Sequence, residues 1–272
     1  MTHYTVHTYT AAERGLFVNS YLLETPDAVV LVDAGLLVPD ARALKARIDA
    51  LGKPLAAAFI THAHPDHFNG LPFVAGPDVP VYATAEVAAT IAEIAEPKRA
   101  QWSPVYGADW PAEHRVPAHT LHDTDTVEAG GITFTIHTAG AAESHADSYL
   151  LAGGNAFIGD LAFNGVHPYT ADGHTTAWLA TLDTLSSELS GAVLHPGHGR
   201  PGTVSMLADQ RRYLLMYREA VHRLSAGSPT LTDRAKADLT TLMTTFLPGA
   251  PLDWMIALGA DAVAAELAGV PA

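Results

Sequence analysis

This sequence predicts an α/β fold in which β-sheets are covered by helices. Short apolar runs bounded by turn residues alternate with segments of helical period in both halves of the chain. Apolar residues make up 48% and charged residues 16% of its 272 residues, the balance of a compact globular protein. No internal repeat and no low-complexity linker breaks the pattern, so a single domain over residues 1–272 is expected.

The elements follow in order. Val18-Asn19-Ser20-Tyr21-Leu22-Leu23 and Ala28-Val29-Val30-Leu31-Val32-Asp33 read as strands joined by a hairpin turn at Pro26-Asp27. A helix from Pro39 to Leu51 places Leu44, Ile48 and Leu51 at helical spacing and stops at Gly52. The apolar run Ala56 to Ile60 reads as a buried strand, and Val79 to Tyr82 as another. An alanine-rich helix runs from Glu86 to Glu96 and should end at Pro97. Ala100 to Pro117, rich in Trp, Pro and Tyr without clear period, reads as an ordered loop; its Trp102, Tyr106 and Trp110, with Phe68, either form an apolar pocket wall or, as is more common for such aromatics, belong to the core. Strands resume at Ile132 to His137, Ser148 to Leu151 and, after the Gly153-Gly154-Asn155 turn, Ala156 to Asp160. A helix near Trp178 to Leu189, a strand at Ala192 to Leu194, and helices over Ser205 to Leu224 and from the cap Thr232-Asp233 to before Pro248 complete the chain.

Composition removes several classes of function. A net charge of −14 argues against non-specific binding to phosphate backbones, which needs a basic face. With no cysteine, disulfides and thiolate metal sites are excluded, so any metal must be held by nitrogen and oxygen. Met1-Thr2-His3-Tyr4 lacks the basic and apolar stretches of a signal peptide, and no run approaches the roughly 18 apolar residues that span a bilayer. The expectation is a cytoplasmic protein with no nucleic-acid or membrane partner. The apolar segment Leu252-Asp253-Trp254-Met255-Ile256 either packs on the core or forms a dimer face, and the sequence does not choose between them.

Chemistry concentrates in His62-Ala63-His64-Pro65-Asp66-His67, three imidazoles and a carboxylate directly after a buried strand. These are ligand types that divalent metals prefer. Neither strand alternation nor helical spacing converges all four groups, so a tight loop should carry them. Partners of the same chemistry recur at or near the ends of later apolar runs: Glu143-Ser144-His145-Ala146-Asp147, then Asp160, then His198 within His195-Pro196-Gly197-His198-Gly199.

Together these motifs resemble the metallo-β-lactamase-fold hydrolase superfamily. The His-x-His-x-Asp-His motif is met by His62, His64, Asp66 and His67, the Gly-Asp after a strand by Gly159-Asp160, the Pro-Gly-His-Gly by Pro196 to Gly199, and the early Leu-x-Asp-x-Gly by Leu31 to Gly35. The matches run in order from Asn19 to His198. The resemblance implies a four-layer αββα sandwich of two mixed β-sheets flanked by helices, with a helical C-terminal extension from about residue 205. It also implies two metal positions, His62 and His64 at the first, Asp66, His67 and His198 at the second, and Asp160 bridging. Asp33 would accept a hydrogen bond that orients the histidine loop.

One ligand departs from the family pattern. Where a third histidine for the first metal is usual, this chain has Gly140 to Ser148, and two alignments compete. Matching the following strand places Glu143 at the ligand position, whereas matching residue chemistry places His145 there. A carboxylate would lower the charge at the first metal and favour a harder ion. The implied cofactor is a pair of Zn2+ ions, with Mn2+ or Fe2+ as alternatives. His167 and His174, downstream of Asp160, are candidates for substrate contact, and His195 for a structural role.

The implied reaction is hydrolysis of an ester-like bond, in a thioester, lactone or related acyl ester, by a metal-activated hydroxide with Asp66 taking up the proton. The alternatives are sulfur oxidation at a single non-haem iron on the same fold, and a degenerate member that only binds a ligand.

Overall fold

The computed structural model of the chain describes residues 3–270, so Met1 and Thr2 of the N-terminal stretch considered above lie outside it. Contacts group the chain into two compact units. One holds the residues up to Thr138 together with Ala146–Gly159, and the other holds Ala139–His145 together with the residues from Asp160 on.

The first unit contains a six-stranded sheet whose strands follow chain order: β1 (Thr5–Thr10), β2 (Asn19–Glu24), β3 (Val29–Val32), β4 (Leu55–Phe59), β5 (Val81–Thr84) and β6 (His119–Leu121). β1, β2 and β3 pair antiparallel, and β3 to β6 pair parallel. Its helices are α1 (Val38–Ala50), α2 (Pro65–Phe68), α3 (Leu71–Val74) and α4 (Ala85–Tyr106). A second sheet has the strand order β11-β10-β9-β8-β7, where β7 is Thr126–Ala129, β8 Ile132–Gly140, β9 Asp147–Ala152, β10 Asn155–Gly159 and β11 Val193–Pro196. The fold is thus two β-sheets flanked by helices.

Strand alternation explains why the central strands are apolar on both faces. Leu22, Val29, Leu31, Ala58 and Ile60 face one way, into a core with Leu44 and Ile48 of α1 and Val87 and Ile91 of α4. Their neighbours Tyr21, Leu23, Val30, Val32 and Phe59 face the other way, against Phe134, Ile136, Leu150 and Phe157 of the second sheet. Phe59 joins the two sheets directly, its ring 4.7 Å from Phe134 and 5.1 Å from Tyr82.

One expectation changes, and three strands carry no signal in the sequence. α4 does not end at Pro97 but continues through Pro97 and Pro104 to Tyr106, so the first residues of the expected loop are helical. A proline inside a helix costs about 3 kcal/mol. Here aromatic packing offsets it: the rings of Trp102, Tyr106 and Trp110 meet in sequence, tilted, at 6.2 and 5.8 Å and pack with Leu36 and Leu37. β1 went unpredicted because its residues lie exposed or half-buried, so no apolar run marks it. The short strands β6 and β7 are likewise largely exposed.

The second unit contains α5 (Thr175–Glu188), α6 (Ser205–Ser225), α7 (Asp233–Phe246), α8 (Trp254–Leu258) and α9 (Ala260–Leu267). Tyr213, Tyr217 and Val221 of α6, Leu239 and Met243 of α7, Ile256 of α8 and Val263 of α9 form its core. Met255 and Ile256 are therefore buried within this unit, while Trp254 stays exposed. Among the described residues, no helix is long and apolar enough to cross a membrane.

Candidate metal centre

In the first unit the histidine cluster leaves β4 and enters α2, and one carboxylate organises it. Asp33 follows β3 and is buried, with a left-handed φ of 60° that aspartate tolerates better than most residues. It accepts hydrogen bonds from the Thr61 backbone N–H (3.0 Å), the Thr61 hydroxyl (2.9 Å) and His67 Nδ1 (2.8 Å). The Thr61 hydroxyl spends its only proton on Asp33, so it must accept from His62 Nδ1 at 3.0 Å. Both imidazoles are thereby held with the proton on Nδ1 and the lone pair on Nε2, the form a metal ligand needs.

Backbone contacts hold the same segment. The Ala34 N–H donates to the His67 carbonyl at 2.7 Å, and the Gly70 N–H to the Gly35 carbonyl at 2.8 Å. Ser148 clamps the Thr61 carbonyl with its hydroxyl (2.6 Å) and its N–H (3.1 Å). The rings of His64 and His67 lie 4.9 and 4.1 Å from that of His62.

Gly159 shows why a glycine precedes Asp160. Its φ is +50°, and a Cβ there would lie 2.6 Å from Thr61 Oγ1 and 2.9 Å from Thr61 Cβ. We expect Gly159→Ala to displace Thr61, break its link to His62, and weaken metal binding about 10- to 100-fold. A competition titration with a chromophoric chelator measures this; affinity within twofold of the parent, by about 0.4 kcal/mol, would refute it.

In the second unit, Asp160 directly follows β10, and His198 directly follows β11 and Gly197. His198 Nε2 lies 3.4 Å from Asp160 Oδ2, and both side chains are buried. Phe163 stacks on the His198 ring at 5.1 Å with an interplanar angle of 7°. The Asn164 N–H donates to the His198 carbonyl at 3.1 Å. His195 is buried too, which pushes its imidazole down to about pKa 4 and keeps it neutral.

Three sets of side chains each bring one ligand atom per residue within 4.8 Å of one another: His62, His64 and Glu143; His62, His67 and Asp160; Asp66, His67 and His198. Every donor is an imidazole nitrogen or a carboxylate oxygen, which suits a divalent cation. Of the two competing residues at the departing position, Glu143 is buried and stands in the first set. His145 does not. Its side chain is 60% exposed and its Nδ1 is hydrogen-bonded to His174 Nε2 at 2.8 Å, with Asp172 3.8 Å from its Nε2. The two positions differ by two residues in a loop of bends, and the register that buries Glu143 turns His145 outward.

Of the two substrate candidates, His174 lies in that partly exposed pair. His167 is fully buried, with Nδ1 2.9 Å from the Tyr213 hydroxyl, and offers a substrate no accessible surface. The roles of Thr61, Ser148, Phe163 and Gly159 were missed in the sequence. Thr61 adjoins the candidate ligand His62 in the chain, and Gly159 stands beside Asp160 in the Gly-Asp motif; those positions were the available signals.

Imidazoles and carboxylates, most of them buried, thus form sets able to hold a metal ion on a scaffold of two sheets flanked by helices. The metallo-beta-lactamase superfamily model matches residues 14–198, and the chain belongs to that superfamily. No curated protein matches it. Among solved structures it is similar to a beta-lactamase domain protein from Burkholderia ambifaria, with a TM-score of 0.69 and 18% identity over 96% of this chain and 86% of that one. A metallo-beta-lactamase family protein from Thermus thermophilus gives 0.68 and 19% over 96% and 92%. A metallo-beta-lactamase from Pontibacter korlensis gives 0.61 and 21% over 79% and 99%. At these identities the likeness shows the fold.

Proposed function

We propose that this chain is a metal-dependent hydrolase of an ester-like bond in a small molecule: a thioester, a lactone or a related acyl ester. The observation that carries the proposal is the overlap of the three donor sets, in which His62 and His67 each appear twice. Such sharing suits two neighbouring cations. His62, His64 and Glu143 would hold the first, Asp66, His67 and His198 the second, and Asp160 would bridge them. Bound there, divalent cations, Zn2+ foremost, would polarise the scissile carbonyl and lower the pKa of water.

The chain's own residues do the rest. Asp33 fixes His67 directly and His62 through Thr61, so their Nε2 atoms keep their aim. Asp66, on the short helix α2, would accept a proton from water in the reaction. Glu143, with Asp66 and Asp160, brings the carboxylates of the three sets to three, which moderates the positive charge offered to substrate.

A second proposal rests on the first set alone. Two imidazoles and one carboxylate are also the donor set of mononuclear non-haem iron sites, which would suit sulfur oxidation. One experiment separates the two. We expect two divalent ions per chain by elemental analysis, and turnover of a panel of aryl esters, acyl thioesters and lactones that is lost on chelation and restored by Zn2+. One iron per chain with oxygen uptake would establish the second proposal; a fully loaded protein inert towards all three substrate classes would end the first.

A further inference from the structure

None of the three donor sets includes a residue of the cleft of about 400 Å3 that opens in the first unit. Its lining includes Arg42 of α1, Phe73 of α3, Arg99 and Ser103 of α4, and Trp110 and Pro111 beyond α4. The volume lies in the range of small-molecule sites.

Two polar groups in this cleft are uncommitted. Arg99 is engaged, its Nε and Nη2 donating to Glu96 Oε2 at 3.0 and 2.8 Å. Arg42, by contrast, has no carboxylate within ion-pair distance among the described residues, in a chain with 29 acidic side chains against 15 basic ones. Its guanidinium instead lies over the Phe73 ring, 5.9 Å from the centroid. Ser103 is the second group. Helical hydroxyls elsewhere in this chain, such as those of Thr90, Ser186 and Thr240, bond back to the carbonyl four residues earlier. Among the described residues the Ser103 hydroxyl makes no hydrogen bond, and it lines the cleft.

We propose that this cleft binds an organic carboxylate with an aromatic or long apolar body. The planar fork of Arg42 matches a carboxylate through paired N–H donors, and Ser103 supplies a further donor. Phe73, Trp110 and Pro111 take the apolar body out of water. A bare inorganic anion would leave those walls without a partner, and a neutral isostere would leave the guanidinium without one.

Calorimetric titration of the metal-loaded, full-length chain tests this with 4-phenylbutyrate, decanoate, 4-phenylbutanol and inorganic phosphate. Expected are saturable binding of at least one of the two acids and affinities about tenfold or more weaker for the alcohol and for phosphate. Arg42→Gln should weaken the bound acid by about tenfold or more and Ser103→Ala by a few-fold, with Arg42→Lys in between and metal content unchanged in all three. Arg42 is exposed and the half-buried Ser103 hydroxyl makes no hydrogen bond among the described residues, so the variants should keep the parent's circular dichroism. The proposal is overturned if neither acid saturates. It is equally overturned if phosphate binds as tightly as the acids, or if Arg42→Gln binds them like the parent, since the acid would then sit elsewhere, the metal centre included.

Discussion

Asp160→Ala is expected to reduce metal-dependent turnover by about a thousandfold or more, equivalent to about 4 kcal/mol of transition-state stabilisation. Asp160 is buried directly after β10, 3.4 Å from His198 Nε2, and its carboxylate belongs to the set with His62 and His67. In the proposed dinuclear centre it would be the carboxylate shared by both cations. Two divalent charges a few ångströms apart repel strongly unless an anion sits between them. Its removal should therefore cost occupancy as well as rate, with elemental analysis falling below two ions per chain. Circular dichroism of the variant should match the parent, which separates loss of metal from loss of fold. An Asp160→Ala protein that keeps both ions and its turnover would eliminate the bridging role.

Asp33→Ala is the second large effect, and it acts without touching a cation. The substitution leaves three buried donors without their acceptor: the Thr61 N–H, the Thr61 hydroxyl and His67 Nδ1. Each such loss costs about 1–3 kcal/mol. Alanine is also less at ease than aspartate at a φ of 60°. We expect destabilisation of about 3 kcal/mol or more in urea unfolding of the metal-free protein, and metal affinity about 10- to 100-fold weaker. Asp33→Asn keeps the volume and one acceptor oxygen but turns an N–H2 toward donors. It should recover part of the stability and little of the affinity. Equal unfolding midpoints for parent and Asp33→Ala would show that the carboxylate does not organise the loop.

The histidine cluster was legible because it is local: four groups within six residues, placed by one strand end. The sheet core was legible for a similar reason, since β3 is buried on both faces and announces itself as an unbroken apolar run. What escaped depended on distant partners. α4 passes two prolines because aromatic packing on Leu36 and Leu37 outweighs a local rule. β1 carries no apolar run, so pairing with β2 rather than its own composition makes it a strand. The choice between Glu143 and His145 depended on the path of a loop through bends, and residue chemistry alone pointed to the side chain that turns outward. Thr61 was overlooked because its importance comes from Asp33, 28 residues earlier.

The Asp33–Thr61–His62 relay, with its branch to His67, has a consequence in time. Most flexible ligand loops must give up conformational freedom as they close on an ion, and that entropy slows capture and loosens retention. This chain has already surrendered that freedom during folding, because a buried carboxylate sets the tautomer and ring orientation of two imidazoles. For the proposed centre we therefore expect uptake to be limited by how fast an ion sheds its water rather than by rearrangement of these two imidazoles. Because the Nε2 atoms stay aimed after an ion leaves, rebinding should compete with escape, and stopped-flow chelator exchange is expected to be slower for the parent than for Asp33→Ala.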